Sequence, residues 1–263
     1  MAASAQASDL PELAARTAPS VVHLDVSSPR GEGSGTGFFV SADGRILTNF
    51  HVVDGGTKVS AKTDDGRVIA IEGVLAWDAD KDLAVLQAEA GTYPALSLGD
   101  SGTVRPGDEI FVIGSPHGLS NTLSSGIVSA IREQGISGRG KVNGREMTTD
   151  AWGIQITAPI SPGSSGSPIV ASNGKVIAIA VGARDGQSLN FGIPSAAATN
   201  LLNGVEKDAK PKPLTALSTE SSSGLWKNLA ISAGVFGGVA LVWLVVSRLG
   251  RGSKTPRSKR AAS

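Results

Sequence analysis

The stretch that decides the fold of this chain is Ile160-Ser-Pro-Gly-Ser-Ser165-Gly-Ser-Pro168, a short turn in which glycines flank a central serine. Glycine at 163 gives the turn a backbone with few steric limits, and Gly166 leaves room for another molecule to approach the Ser165 hydroxyl. In such a turn the backbone N–H groups of Gly163 and Ser165 would point toward one spot, as the donors of an oxyanion hole do. The same sequence is also compatible with an ordinary Gly/Ser loop. Whether it is a catalytic turn therefore depends on residues elsewhere in the chain.

A serine hydroxyl is a weak nucleophile at neutral pH, and it needs an imidazole to accept its proton and a carboxylate to orient that imidazole. His51 ends the run Arg45-Ile-Leu-Thr-Asn-Phe-His51, where a strand is predicted to pass into a turn. The ordinary pKa of a histidine lies near working pH, so the side chain can take up a proton and return it. We expect His23 and His117 to be structural, because only pairing with Ser165 and Asp82 sets His51 apart from them.

The carboxylate has three candidates, because aspartates alternate in Trp77-Asp-Ala-Asp-Lys-Asp82. Spacing alone does not choose between Asp78, Asp80 and Asp82. The first two have the setting of solvated turn carboxylates. Asp82 directly precedes the apolar run Leu83-Ala-Val-Leu86, so it can be partly buried, as the orienting role requires.

The composition favours β structure built from small aliphatic residues. The 263 residues include 34 glycines, no cysteine and only 4% aromatic residues. Without cysteine the chain has no disulfides, thiolate metal sites or cysteine nucleophiles. Short apolar runs bounded by glycine and aspartate, such as Gly37-Phe-Phe-Val40 and Ile110-Phe-Val-Ile113, predict an all-β fold of short strands in antiparallel barrels.

Other chemistries find little support in the sequence. Gly33-Ser-Gly-Thr-Gly37 lacks the Gly-Lys-Ser/Thr ending of a phosphate loop and continues into an apolar run typical of a strand. No His-Glu-x-x-His pattern or comparable ligand set occurs, so we expect no metal and no other cofactor. All 23 acidic residues precede position 225, whereas seven of the 24 basic residues follow position 224. The mildly acidic body offers no basic face to a nucleic acid.

Helices are predicted only at residues 10 to 16 and about 195 to 202, with Ser195 after Pro194 as an N-terminal cap. The polar, proline- and serine-containing residues 206 to 224 are expected to form a flexible linker that buries nothing.

The segment 225 to 247 predicts a transmembrane helix. Its residues 228 to 247 carry no charge, which is long enough to cross a bilayer, and Trp226 and Trp243 lie near opposite ends. A buried helix of a soluble domain is the alternative interpretation. The basic tail, residues 248 to 263, follows at once and indicates the cytoplasmic side of the membrane.

Six motifs together resemble the HtrA (DegP-like) branch of trypsin-like serine proteases, in the order of that family. They are Gly33-Ser-Gly-Thr-Gly37-Phe-Phe-Val, Leu47-Thr-Asn-Phe-His51-Val-Val, Asp82-Leu-Ala-Val-Leu86, Val112-Ile-Gly-Ser-Pro-His-Gly-Leu119, Pro162-Gly-Ser-Ser165-Gly-Ser-Pro168 and Asn190-Phe-Gly-Ile-Pro194. The resemblance covers residues 17 to 200. It implies two six-stranded antiparallel barrels, with His51, Asp82 and Ser165 in the cleft between them, and it selects Asp82 among the three aspartates.

On this basis the chain divides into six parts. They are an N-terminal segment (1 to 16), a first barrel (17 to 97), a second barrel (98 to 205), the linker (206 to 224), the transmembrane helix (225 to 247) and the tail (248 to 263). Many relatives carry a PDZ domain after the protease, and here the linker stands in that place, so we expect a member without one. The resemblance also implies a trimer.

The substrate site departs from that of trypsin, in which a carboxylate about six residues before the nucleophile selects lysine or arginine. Pro159 occupies that position here, and no acidic residue occurs from 151 to 165. We therefore do not expect cleavage after a basic residue, and the resemblance implies cleavage after a small aliphatic one. The residues expected to line the substrate site are Pro159, Ile160, Asn190, Phe191 and Gly192. Ser164 and Ser167 replace the more usual Asn and Gly beside the nucleophile, changes small enough to keep catalysis.

These observations predict a membrane-anchored serine endopeptidase that hydrolyses exposed or misfolded protein segments through an acyl-enzyme, with an extracytoplasmic catalytic domain. Translocation would need a signal peptide, and the first 20 residues contain no apolar core for one, although Ala2-Ala-Ser-Ala-Gln-Ala7 has the small residues of a cleavage region. A tail anchor with a cytoplasmic protease is the rival arrangement. The rival function is an inactive protease-like binding scaffold or chaperone at the membrane.

Overall fold

The computed structural model describes residues 10–115, 122–132, 139–142, 145–148, 153–183 and 187–217. These residues form fourteen strands, three α-helices and two short 3-10 helices, Ala18–Ser20 and Ser101–Thr103. The α-helices are α1 (Leu10–Thr17), α2 (Phe50–Val53) and α3 (Ser195–Asn203). The strands are β1 (Val21–Ser28), β2 (Gly31–Phe39), β3 (Arg45–Thr48), β4 (Lys58–Lys62), β5 (Val68–Asp78), β6 (Leu83–Ala88), β7 (Glu109–Gly114), β8 (Thr122–Ile131), β9 (Arg139–Val142), β10 (Arg145–Thr148), β11 (Ile154–Ile156), β12 (Pro168–Ala171), β13 (Val176–Ala183) and β14 (Asn190–Pro194).

Twelve of the strands close into two six-stranded antiparallel barrels, which confirms the predicted all-β, trypsin-like fold. The first barrel has the strand order β1-β2-β3-β6-β5-β4, and the second has the order β11-β14-β13-β12-β7-β8. Strands β9 and β10 form a separate two-stranded sheet. Residues 33 to 37, whose glycines superficially resemble a phosphate loop, lie inside strand β2.

The barrels are held together by an apolar layer that explains the uninterrupted hydrophobic runs in the sequence. In β6, Ala84 and Leu86 belong to the core of the first barrel, whereas Leu83 and Val85 belong to a separate cluster that joins the two barrels. Strand β13 is buried on both faces in the same way. A strand covered on both faces needs apolar residues at every position, so β6 and β13 read as continuous apolar runs. Both strands therefore lie at the junction where the candidate site is expected.

The two predicted helices are present as α1 and α3, but the predicted cap of α3 is wrong. Pro194 is the N-cap residue, and no side chain caps the helix. Ser195 is fully buried, and its hydroxyl donates a hydrogen bond to the carbonyl oxygen of Gly99 at 2.8 Å. The Ser195 side chain therefore links the start of α3 to the segment around Gly99.

The expectation that the linker from residue 206 buries nothing is also wrong for its first part. Lys212 exchanges two backbone hydrogen bonds with Val74 of β5, at 2.8 and 2.9 Å. Leu214 and Leu217 are buried in the core of the first barrel. The two buried leucines and the backbone pairing with β5 together hold this polar segment on the first barrel.

The rest of the predicted linker, the predicted transmembrane helix and the basic tail lie outside the described residues, and so does His117. Across the residues that the structure does describe, no helix has both the length and the apolar character needed to cross a bilayer.

Candidate active site

His51 and Asp82 form a buried imidazole–carboxylate pair within the first barrel. His51 lies in α2, a single helical turn directly after β3, rather than in the predicted non-helical turn. Its Nδ1 is 2.7 Å from Oδ2 of Asp82, and its backbone N–H donates to Oδ1 at 2.8 Å. The two side chains are only 4% and 2% exposed. A carboxylate that receives Nδ1–H leaves Nε2 of the ring as the free acceptor, which is the state a general base requires.

The backbone of Asp82 is bound to the same segment as its side chain. The carbonyl oxygen of Asp82 accepts hydrogen bonds from Nδ2 of Asn49 at 3.0 Å and from the amide of Phe50 at 3.2 Å. Asp82 has φ +55°, a left-handed conformation that is uncommon outside glycine. The four hydrogen bonds to residues 49 to 51 hold the residue in this conformation, which aims its carboxylate at the imidazole.

The other two candidate aspartates do not reach His51. Asp78 accepts a hydrogen bond from the amide of Lys81 at 2.9 Å and forms an ion pair with its ammonium group at 3.2 Å. Asp80 is exposed on the same turn. The structure therefore places only Asp82, among the three alternating aspartates, beside the histidine.

The turn that carries Ser165 leaves two backbone amides without an acceptor in the described part of the chain. The amides of Ser164, Gly166 and Ser167 donate to the carbonyl oxygens of Ser161, Ala180 and Ser164, at 2.9, 2.8 and 3.0 Å. Among the described residues the amides of Gly163 and Ser165 have no acceptor. Gly163 and Gly166 have φ +93° and +89°, so the turn depends on glycine at both positions. The two unpaired donors are those predicted to bind an oxyanion.

The half-buried Ser165 hydroxyl points to the second barrel. It donates a hydrogen bond to the carbonyl oxygen of Val181 in β13 at 3.2 Å. No hydrogen bond joins it to His51 among the described residues. The imidazole is thus bound to Asp82, while the serine hydroxyl has another partner.

Strand β2 brings the histidine helix and the serine turn together at Gly35 and Thr36. A Cβ on Gly35 would lie 2.5 Å from Cγ1 of Val52, the residue after His51, and 3.3 Å from the carbonyl oxygen of Ser165. The amide of Thr36 donates to that same carbonyl oxygen at 2.8 Å. Val52, the residue after His51, and the backbone of Ser165 therefore both lie against Gly35 of β2.

Thr36 and Thr48 are site residues that the sequence analysis missed. The Thr36 hydroxyl donates to the carbonyl oxygen of Gly163 at 2.7 Å, and Thr48 Oγ1 donates to the carbonyl oxygen of Thr36 at 2.7 Å. A Cβ on Gly166 would lie 2.0 Å from that Thr36 oxygen and 2.6 Å from Thr48 Oγ1. The local pattern is a threonine between glycines at 35 and 37, and it does not indicate the contact with Gly163, which lies more than 100 residues further along the chain.

The residues expected to line a substrate site occupy different environments. Pro159 is exposed, and its carbonyl oxygen accepts a hydrogen bond from Ser124 Oγ at 3.0 Å. Ile160 is half-buried against the core of the second barrel, and Asn190 is buried at the start of β14.

Two of the expected substrate-site residues pack into the protein interior. Phe191 is only 2% exposed and belongs to the apolar layer between the barrels. A Cβ on Gly192 would lie 2.5 Å from Cδ1 of Ile169 in the core of the second barrel. These residues point inward because β14 is covered on both of its faces.

Within the described part of the chain no group of three His, Asp or Glu side chains could hold a metal ion.

Comparison with known proteins agrees with this architecture. Residues 35–179 match the family model described as a trypsin-like peptidase domain. A putative serine protease HhoB of Synechocystis sp. is 39% identical over 175 residues, which are 66% of this chain and 40% of that protein. A probable periplasmic serine endoprotease, DegP-like, of Marinomonas sp. is 34% identical over 182 residues, 67% of this chain and 36% of that protein. The chain thus spans well under half the length of these relatives.

A solved structure shows the same arrangement of barrels. The HtrA-type protease AlgW, determined with a tripeptide, superposes with a TM-score of 0.64 at 30% sequence identity. The superposition covers 74% of this chain and 62% of AlgW.

Proposed function

This chain belongs to the trypsin-like peptidase family, in its HtrA/DegP-like branch, and from this premise we propose that it is a serine endopeptidase in which Ser165 attacks, His51 transfers the proton and Asp82 orients the imidazole. The observation that carries the proposal is the buried Asp82 carboxylate, which accepts hydrogen bonds from Nδ1 and from the backbone N–H of His51, together with a serine turn in which the Gly163 and Ser165 amides have no acceptor among the described residues.

In the first half of the reaction the Ser165 hydroxyl leaves the Val181 carbonyl and turns to Nε2 of His51. Its oxygen then attacks the scissile carbonyl carbon while the imidazole takes the proton. The negative oxygen of the tetrahedral intermediate accepts hydrogen bonds from the amides of Gly163 and Ser165. Such donors act without reorganisation because the turn already holds them, and each is worth about 3 kcal/mol in the transition state.

In the second half the imidazolium gives its proton to the leaving amine, and the acyl group stays on Ser165. A water molecule, deprotonated by His51, then releases the acyl group by the reverse sequence. Asp82 stabilises the imidazolium and holds its tautomer throughout. Because Asp82 is almost fully buried, its charge is little screened when the imidazolium forms.

The substrates proposed are exposed or misfolded protein segments, cut after a small aliphatic residue, which the family resemblance implies and the lack of any acidic residue from 151 to 165 supports. We place the catalytic domain outside the cytoplasm, which the periplasmic relatives support, anchored by the apolar segment 225 to 247. A trimer is the assembly proposed from the family resemblance.

Covalent labelling tests the function. A fluorophosphonate probe should label the wild-type chain on Ser165, as located by peptide mass spectrometry, and Ser165→Ala and His51→Ala should abolish labelling. Ser172→Ala, which removes an exposed serine from the turn after β12, is the matched control and should label normally. Wild-type chain that hydrolyses no peptide and takes up no label at Ser165 would contradict the proposal.

One observation favours a second function, an inactive protease-like scaffold or chaperone at the membrane. The Ser165 hydroxyl donates to Val181 and not to His51, so the nucleophile is not engaged with its base. A scaffold would bind unfolded polypeptide equally well before and after Ser165→Ala, in the absence of any labelling.

A further inference from the structure

Thr36 binds both residues that carry the proposed oxyanion donors. Its backbone N–H donates to the carbonyl oxygen of Ser165 at 2.8 Å, and its side-chain hydroxyl donates to the carbonyl oxygen of Gly163 at 2.7 Å. Thr36 itself is completely buried. Of these two bonds, only the one to Gly163 depends on the identity of the side chain.

The hydroxyl has a fixed role because it is also an acceptor. The amide of Ser115, at the end of β7, donates to Thr36 Oγ1 at 3.1 Å. A hydroxyl that accepts from one backbone group and donates to another has its hydrogen directed by the first bond. Ser115 belongs to the second barrel and is 2% exposed, so the hydroxyl links the first barrel to two separate segments of the second.

The bond to Gly163 restrains the most adaptable residue of the turn. The peptide group between Gly163 and Ser164 is held at both ends, because its oxygen binds Thr36 and its N–H donates to the carbonyl oxygen of Ser161 at 2.9 Å. Glycine with φ +93° has many other accessible conformations, and a turn without this restraint could rotate the Gly163 amide away from the site.

We infer that Thr36 is a positioning residue, whose hydroxyl keeps the Gly163 amide directed at the oxyanion of the reaction. This inference rests on the proposed function. Thr36 acts through Gly163 and does not contact the substrate. The expected consequence is a loss of transition-state binding without a matching loss of substrate binding.

The test compares Thr36→Val, which removes the hydroxyl at nearly constant volume, with Thr36→Ser, which keeps it. Thr36→Val should lower kcat for a peptide substrate about 10²-fold with little change in KM, the size expected when a catalytic group is displaced. The inhibition constant of a peptide aldehyde, which forms a tetrahedral adduct, should rise by the same factor. Thr36→Ser should restore both values to those of the wild type.

Thr17→Val is the matched control, because it also deletes a buried threonine hydroxyl, one that donates to the carbonyl oxygen of Leu13 at 2.8 Å in α1. It should leave kcat and aldehyde inhibition unchanged. If Thr36→Val does not fold, Thr36→Cys replaces it; its weaker S–H donor should give a smaller fall in kcat with the same parallel change in aldehyde binding.

The outcomes separate the two proposals. Active wild type with equally active Thr36→Val or Thr36→Cys overturns the positioning role and leaves the protease intact. A variant in which kcat falls and KM rises by similar factors also overturns the positioning role. So does a variant in which kcat falls while the aldehyde binds as tightly as it does to the wild type. A wild-type protein that shows no Ser165-dependent peptide hydrolysis overturns both the positioning role and the proposed function.

Discussion

The two halves of the candidate site differ in what holds them in place. His51 and Asp82 both belong to the first barrel, and all their contacts described above are made within residues 49 to 82. The Ser165 turn belongs to the second barrel, yet the carbonyl oxygens of Gly163 and Ser165 are held by Thr36 of the first. The proposed acid–base half is thus fixed within one barrel, whereas the proposed nucleophile half depends on how the barrels meet. This difference teaches that the site can be damaged in two separable ways.

The largest effect is expected inside the first half. Asp82→Asn should lower kcat about 10⁴-fold, because the amide cannot stabilise the imidazolium and favours the wrong tautomer of His51. The matched control is Asp78→Asn, which removes an aspartate four residues away that pairs with Lys81. Steady-state hydrolysis of a peptide by both variants checks this. A control as impaired as Asp82→Asn would show that loss of negative charge near the site, and not the contact with His51, is responsible.

In the other half of the site, a substitution that disturbs the packing of the Ser165 turn against the first barrel should destabilise the protein. Gly166→Ala should lower the free energy of unfolding by about 4 kcal/mol, because the new Cβ would lie 2.0 Å from the carbonyl oxygen of Thr36. Gly66→Ala is the control, since Gly66 has a similar φ of +84° with no atom within 4 Å of the new Cβ. It should cost only the strain of the left-handed conformation, about 1 to 2 kcal/mol. Denaturant unfolding of both variants gives the difference, and equal losses would refute the close contact.

The first barrel also carries the segment after α3, which offers a way to weaken that barrel without touching either half of the site. Leu217 is completely buried in the core of the first barrel, so Leu217→Ala should lower the free energy of unfolding by about 3 kcal/mol. Leu123→Ala, at a position 41% exposed, should cost well under 1 kcal/mol. Activity per folded molecule should not change in either variant. A Leu217→Ala protein as stable as the wild type would mean that residues 206 to 217 do not pack as described.

The sequence was sufficient for the parts of the molecule that depend on local pattern. Short apolar runs predicted the strands, and the continuous runs in β6 and β13 follow from burial on both faces. Asp82 could be favoured over Asp78 because a strand begins directly after it. These features are local, since the neighbours in the chain determine them.

Contacts between distant segments could not be predicted in this way. Nothing in the residues around Thr36 indicates that its hydroxyl meets Gly163, because that contact depends on the packing of one barrel against the other. Ser195 has the letters of a helix cap, but a buried carbonyl oxygen of Gly99 competes successfully for its hydroxyl. Phe191 was expected at the substrate site by resemblance, and the alternation of β14 directs its side chain into the apolar layer.

The smallest effect is expected far from the junction and marks how local the site is. The Thr63 hydroxyl and the amide of Arg67 donate hydrogen bonds to the Asp65 carboxylate and hold its pKa below the ordinary value. A lowered pKa in the folded state means that this small stabilisation is present above the ordinary pKa and is lost as the pH falls through the lowered one. Thr63→Val should raise the pKa of Asp65 without altering the pH dependence of hydrolysis.

Carboxyl titration by NMR measures that change, and Thr57→Val is its control, because the Thr57 hydroxyl donates to the carbonyl oxygen of Ser27 and not to a carboxylate. An unchanged Asp65 pKa in Thr63→Val would show that the hydroxyl does not hold the charge. A shifted activity profile would show that the site is coupled to this exposed turn.

The most direct test of the whole account is a crystal structure of the chain with a peptide aldehyde. The account predicts a covalent bond from Ser165 Oγ to the aldehyde carbon, with the resulting oxygen about 2.7 to 3.1 Å from the amide nitrogens of Gly163 and Ser165. His51 should remain bonded to Asp82 while its other ring nitrogen faces the adduct. An intact aldehyde beside a Ser165 hydroxyl that still donates to Val181, or an adduct whose oxygen faces away from both amides, would contradict it.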